Sequence, residues 1–280
     1  MEIHLVTKVT TSINAVILDM DGVLWRDDQP IGNLPNIFQT LGDLGWKSTL
    51  ATNNASRSVE QYLQKLDNFG VILQPHQIVT SAEATAHYLL NQHPNGGKVY
   101  VVGGAGLEHT LQKYGFEISE TDVVAVVVSF DRRLTYEKLE RATLLVRAGA
   151  PLIGTNPDRS FPTPLGLVPG AGAILAAVAL ASDVDPLIIG KPEPEMYRVA
   201  MQRMGSSPAT TLVIGDRLET DIAGAQKLGC MTALMLSGVT SVQTARNWSP
   251  PPDWISTDLE ELLRMLSGRS WVTQKSDASV

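Results

Sequence analysis

Short apolar runs separated by helical patterns recur along this chain, and that alternation limits its fold more than any other feature. The runs cover residues 15–18, 49–51, 99–102, 123–128, 151–153, 187–189 and 212–214. Most are rich in Val and Ile and bounded by Gly, Asn or Asp, as strands buried on both faces are. Between them the spacing turns helical. Val59, Tyr62, Leu63, Leu66 and Phe69 recur at three and four residues and stop at Gly70. Met196, Val199, Ala200 and Met204 do the same and stop at Gly205. Strand and helix in alternation predict an α/β fold built on a doubly wound parallel sheet.

With 280 residues, and about 150 per domain, the chain has room for two units. Residues 82–186 hold their own strand–helix series and the densest valine run, so they read as an inserted second α/β unit. The first unit is then discontinuous, 13–81 and 187–267. The stretches 1–12 and 268–280 lack periodicity and are expected to be loose tails. Apolar residues make up 44% and charged residues 18%, the balance of a chain that buries a core. Cys230 is the single cysteine, so no internal disulfide can form, which fits a reducing compartment. A net charge of −7 argues against broad binding to nucleic acid or to an anionic membrane. The longest apolar run, 173–181, is about half of a membrane span. The N-terminus lacks the apolar core and cleavage site of a signal peptide. A soluble, cytoplasmic protein is expected.

Polar residues follow four of the runs directly. Asp19 and Asp21 follow 15–18, and Thr52, Asn53 and Asn54 follow 49–51. Lys191 follows 187–189, while Asp216 and Asp221 follow 212–214. In an open parallel sheet such positions meet at the carboxyl ends of the strands, where ligands bind. Singly, each has a plain structural explanation. Asp19-x-Asp21-Gly22 could be an Asx turn, the asparagines could cap a helix starting near Ser56, and Lys191 before Pro192 could be a solvated turn lysine. Trp25 could equally be a core aromatic. Their shared placement is what argues for a site. Gly22 lets the chain leave the first strand sharply with positive φ. In the inserted unit, Asn156 and Asp158 flank Pro157 in a stiff turn. The histidines show no metal-ligand spacing and no P-loop is present.

The segments AVILDMDGVLW, LATNNASRS, GTNPD, PGAGAIL, IIGKPEPEMY and VIGDRLETDIAGA together resemble the haloacid-dehalogenase superfamily of phosphatases. The resemblance runs over about residues 13–267 and is closest to subclass IIA, the p-nitrophenylphosphatase-, phosphoglycolate-phosphatase- and nucleotide-phosphatase-like enzymes. It implies a Mg²⁺-dependent phosphatase acting on a small phosphorylated metabolite. Asp19 would be the nucleophile forming an aspartyl-phosphate, and Asp21 the acid that protonates the leaving oxygen and then activates water. Two carboxylates this close beside a phosphate dianion repel, and the one not held by metal keeps its proton more readily. The resemblance gives Mg²⁺ to the carboxylates of Asp19 and Asp216 and the backbone carbonyl of Asp21, with Asp221 either a further metal ligand or orienting a water or Lys191. Lys191, Thr52 and Asn53 would hold the phosphate, with Asn54 beside them. Val23 to Trp25 would start a small flap, the inserted unit would be a cap, and Asp158 would read the substrate. Two alternatives stay open, a phosphomutase on the same core and a catalytically idle metabolite-sensing protein. Caps of this type dimerise in some relatives, which leaves a homodimer open too.

Overall fold

The computed structural model describes residues 13–163 and 166–268. The expected tails therefore lie outside the described residues, apart from Gly268. The chain opens with β1 (Ala15–Leu18), a small hairpin of β2 (Trp25–Arg26) and β3 (Gln29–Pro30), α1 (Leu34–Asp43), β4 (Lys47–Thr52), α2 (Val59–Asn68), β5 (Ile78–Thr80) and α3 (Ser81–Gln92). There follow β6 (Gly97–Val102), α4 (Ala105–Lys113), β7 (Phe116–Ile118), β8 (Ala125–Val128), α5 (Tyr136–Arg147) and β9 (Leu152–Gly154). The hairpin of β10 (Ser160–Thr163) and β11 (Gly166–Pro169), then α6 (Ala171–Ser182) and β12 (Leu187–Ile188), complete the middle. The last part holds α7 (Glu195–Met204), β13 (Thr211–Gly215), a π-helical turn (Leu218–Ile222), α8 (Ala223–Leu228), β14 (Met231–Met235), α9 (Val242–Arg246), β15 (Trp254–Ser256) and α10 (Leu259–Ser267).

Two parallel sheets result. The first has the order β15-β14-β13-β1-β4-β5, with β1 at its centre. The chain moves outward from β1 through β4 to β5 and later returns on the other side through β13. The crevice beyond the carboxyl end of β1 is thus a topological switch point, the usual ligand position in such a sheet. Side chains alternate as strand geometry requires. Ala15 and Ile17 join a core layer with α3 and α7, while Val16 and Leu18 join the opposite layer with α1, α2 and α10.

The second sheet has the order β12-β9-β8-β6-β7 and is also parallel. Val99 and Val101 face the layer shared with α3, and Tyr100 and Val102 face α5 and α6. The two sheets are therefore joined by a continuous apolar layer. One sequence boundary is corrected here. The run at 187–189, assigned to the first unit, supplies β12, which pairs with β9 at the edge of the second sheet. A short apolar run carries no record of which sheet it will join. The other boundary, at 82, falls inside α3, which Thr80 caps by accepting the Glu83 N–H and which packs on both α4 and α7.

Candidate active site

Asp19 is the first residue off the central strand. Its N–H still reaches Ile214 O at 2.8 Å, so the side chain starts from a rigid base between β4 and β13. Asp216 leaves β13 in the same way and enters a slot formed by two glycines. A Cβ on Gly22 would stand 2.5 Å from Asp216 Oδ2, and one on Gly238 only 1.9 Å. Gly22 also has φ +86°, the left-handed geometry expected for it. Val239 N–H donates to Asp216 Oδ2 at 2.8 Å, while Asp216 Oδ1 is buried with no hydrogen-bond partner. Burial, and then the neighbouring Asp221 carboxylate, push the Asp216 carboxyl up to about 6. A buried acceptor without a donor is costly unless something else satisfies it.

Lys191 arrives from the other sheet. Only 3% of the residue is exposed, and its ammonium donates to Asp19 Oδ1 at 2.5 Å, Asp221 Oδ1 at 2.6 Å and Ala51 O at 3.0 Å. Burial works against its charge, but Asp19 and Asp221 overcome that and raise the Lys191 pKa above the ordinary lysine range. Asp19 is raised by burial, an effect that Lys191 opposes. The second Asp221 oxygen accepts Arg217 N–H at 3.1 Å across the π-helical turn. The carboxylates of Asp19, Asp216 and Asp221 lie close enough for one oxygen of each to fall within 4.8 Å of the others. Three carboxylates against one ammonium leave a formal charge of −2, which suits a divalent cation. The unpartnered Asp216 Oδ1 and this charge both fit such an ion.

Asn53 ties the parts together. Its Oδ1 accepts Lys191 N–H at 2.8 Å and its Nδ2 donates to Lys191 O at 2.9 Å. Its own carbonyl accepts Asn156 Nδ2 and Ser81 Oγ, both at 2.7 Å. Asp158 stands at the far side, 3.4 and 3.5 Å from Asn53 Nδ2, and burial raises its pKa. Gly172 of α6 explains how the Asn156–Pro157–Asp158 turn packs so closely, since a Cβ there would meet Pro157 O at 2.3 Å. Asn54 sits apart from this network. Its Oδ1 accepts the N–H and Oγ of Ser56, and the cap of α2 is Ser58, not an asparagine.

Asp21 is exposed and its carboxylate is outside the acidic cluster; Oδ1 accepts Trp25 Nε1–H at 2.9 Å. Trp25 is 1% exposed and belongs to the core layer, although it also begins the hairpin. A cavity of about 390 Å³ opens over Asp19, Thr52, Lys191 and Asp216. Phe130, just after β8, and Phe161, in the β10–β11 hairpin, line it together, stacked with ring centroids 5.0 Å apart. Sequence reasoning missed this pair, and it missed the loop Ser237-Gly238-Val239-Thr240 that grips Asp216. The same rule that found the others would have found the loop, since it directly follows the apolar strand β14.

Two family profiles match the chain, one described as haloacid dehalogenase-like hydrolase over residues 16–117 and one as HAD-hydrolase-like over residues 188–262. An acid sugar phosphatase of Staphylococcus aureus is 36% identical over 253 residues, covering 90% of this chain and 97% of that protein. The chain belongs to the haloacid dehalogenase-like hydrolases. Within that family it is a phosphatase of subclass IIA. Its fold superposes on the crystal structure of a 4-nitrophenylphosphatase from Thermotoga maritima with a TM-score of 0.87 at 33% identity, covering 91% of this chain and 98% of that one. A glycerol phosphate phosphatase from Mycobacterium tuberculosis, solved in complex with magnesium, gives 0.82 at 33% identity, covering 91% of this chain and 77% of that one. Among the described residues of this hydrolase, no helix is long and apolar enough to cross a membrane.

Proposed function

We propose that this phosphatase is Mg²⁺-dependent and hydrolyses small phosphate monoesters through an aspartyl-phosphate on Asp19. The observation that carries the reading is the buried Lys191 ammonium, 2.5 Å from Asp19 Oδ1 at the switch point of the sheet. A fixed cation there stabilises charge that builds on the phosphoryl oxygens during transfer.

In the first half-reaction an Asp19 oxygen attacks phosphorus, the bond from phosphorus to the leaving oxygen breaks, and Asp21 gives that oxygen its proton. In the second, water attacks the same phosphorus and gives a proton back to Asp21. The bond from phosphorus to Asp19 breaks, releasing inorganic phosphate and the free carboxylate. Thr52, Asn53 and Lys191 hold the phosphate oxygens. Asp19, Asp216 and the Asp21 carbonyl would hold Mg²⁺, which neutralises phosphoryl charge when bound. Both oxygens of Asp221 are already engaged, one by Lys191 and one by Arg217 N–H, which supports a role in positioning Lys191 instead of binding metal directly. Asp158 faces the cavity from the inserted unit and is assigned to reading the leaving group.

The test is phosphate release from a panel of esters with and without Mg²⁺, joined to acid quench and peptide mass spectrometry. Phosphate found on Asp19 supports the reading. Turnover by Asp19→Asn, or unchanged turnover by the chelated enzyme, overturns it.

A further inference from the structure

We propose that Trp25 is a positioning residue that aims the Asp21 carboxylate at the leaving-group oxygen, an inference that rests on the reading of Asp21 as proton donor. Asp21 is exposed on a turn, where a carboxylate would otherwise rotate freely. Among the described residues its side chain receives one hydrogen bond, from Trp25 Nε1 at 2.9 Å. Trp25 itself has no freedom. It is 1% exposed, stacks on Tyr62 with ring planes 17° apart, and leans on Phe69 at 6.0 Å. Its backbone is closed onto the same turn, since Gly22 N–H donates to Trp25 O at 2.8 Å and Trp25 N–H to Met20 O at 3.3 Å.

Packing accounts for a large ring at this position but not for an N–H pointed at the cavity; phenylalanine would satisfy burial alone. A tryptophan nitrogen is donor only, so it can orient a carboxylate and never compete for its proton. Lys65 adds to this. Its ammonium lies 4.6 Å from the centre of the indole, a cation–π contact that draws ring electron density and makes the N–H a better donor. The Asp27 carbonyl accepts from Lys65 and the Asp28 carboxylate lies 3.4 Å from it, which keeps the ammonium in place.

A misaimed acid matters in proportion to how much the leaving oxygen needs a proton. A nitrophenolate departs without one; an alkoxide does not. The experiment replaces Trp25 by benzothienylalanine, which keeps the ring shape and removes the N–H, and follows leaving-group release in the phosphorylation half-reaction. An alkyl phosphate turned over by the wild type is compared with p-nitrophenyl phosphate. We expect the alkyl-to-aryl rate ratio to fall by about tenfold, part of the hundredfold or more that a general acid contributes. Asp21→Asn should give the same signature in larger measure. Phe69→Leu, which loosens the same packing but keeps the N–H, should lower the ratio less than the benzothienyl replacement does. An unaltered ratio in the benzothienyl protein, with the ratio collapsed in Asp21→Asn, overturns the role of Trp25 alone. An unaltered ratio in Asp21→Asn overturns the proton-donor reading and this inference with it.

Discussion

The Lys191 ammonium stands 2.5 Å from the Asp19 carboxylate although the two residues are carried by different sheets, Asp19 by the centre of the first and Lys191 by the edge of the second. Charge neutralisation at Asp19 therefore depends on how the two sheets are seated. Lys191→Met should lower kcat about a hundredfold or more, the scale set by losing one preorganised donor. It should also leave Asp19 and Asp221 buried without their shared cation, at a cost of about 3 kcal/mol. Phosphate release and denaturant unfolding of the chelated protein check both effects. A fall in kcat of less than tenfold would reduce Lys191 to a structural tie.

Asp216 Oδ1 is the buried acceptor that a cation would satisfy. Mg²⁺ should raise the melting temperature of the wild type, because an ion that binds the folded state alone stabilises it by about 2.7 kcal/mol at a hundred times its Kd. Asp216→Ala should abolish that shift and the heat of Mg²⁺ binding. An equal shift in both proteins would place the ion elsewhere.

The chemistry-bearing positions were legible in the sequence because they follow apolar runs, and the carboxyl ends of those strands open on one crevice. That β1, β4 and β13 belong to a parallel sheet could be inferred from strand–helix alternation. The edge strand β12 could not. Its two residues carry no sign of whether they pair with β9 or with the first sheet. Nor could the sequence reveal that Asn53 spends both ends of its amide on the Lys191 backbone. An asparagine after a strand is equally suited to capping or to ligand binding, and only the partner's position decides. The Phe130–Phe161 stack was hidden for a related reason. One ring lies in the loop after β8 and the other in the hairpin strand β10, and neither stands at a spacing that announces the other.

The Asn53 network is itself testable. Asn53→Ala removes the acceptor of Lys191 N–H and the donor to Lys191 O, two groups buried between the sheets. Leaving them unsatisfied should cost about 2–3 kcal/mol of stability and lower kcat with it, because Lys191 loses its fixed start. Urea unfolding alongside steady-state kinetics would show this. A variant as stable as the wild type would mean that water replaces the amide without penalty.

The raised Asp216 carboxyl sets a pH dependence in the metal-free protein. An unfolded aspartate ionises near pH 4, whereas Asp216 in the fold does so at about 6, first because it is buried and next because Asp221 is near. The fold holds that proton more tightly than the unfolded chain does. The resulting stabilisation is complete below about pH 4 and is lost as pH rises through 6, a difference on the order of 2–3 kcal/mol. Urea unfolding of chelated wild type and Asp216→Asn at pH 4.5 and pH 7 isolates it, since other groups cancel between the two proteins. The wild type should lose more stability than the variant over that interval; an equal loss would mean that Asp216 ionises as an ordinary carboxylate.

Specificity must come from groups that touch what differs between substrates. On the proposed reading Asp19, Lys191 and Asp216 serve the phosphate, which every ester shares, whereas Asp158 lines the same cavity from the turn after β9. Its carboxylate is only loosely engaged, 3.4 and 3.5 Å from Asn53 Nδ2, and the turn that carries it is fixed by Asn156 Oδ1 accepting Asp158 N–H at 3.1 Å. A rigid, weakly partnered acceptor is suited to a hydroxyl or amine of the leaving group, and such a site discriminates against analogues that lack the donor. Asp158→Ala should therefore lower kcat/KM unevenly across a panel of phosphate esters. The loss should be greatest for substrates rich in hydroxyl or amine groups and smallest for p-nitrophenyl phosphate, which offers no donor. Equal losses across the panel would instead assign Asp158 to holding Asn53, and through it Lys191, in place.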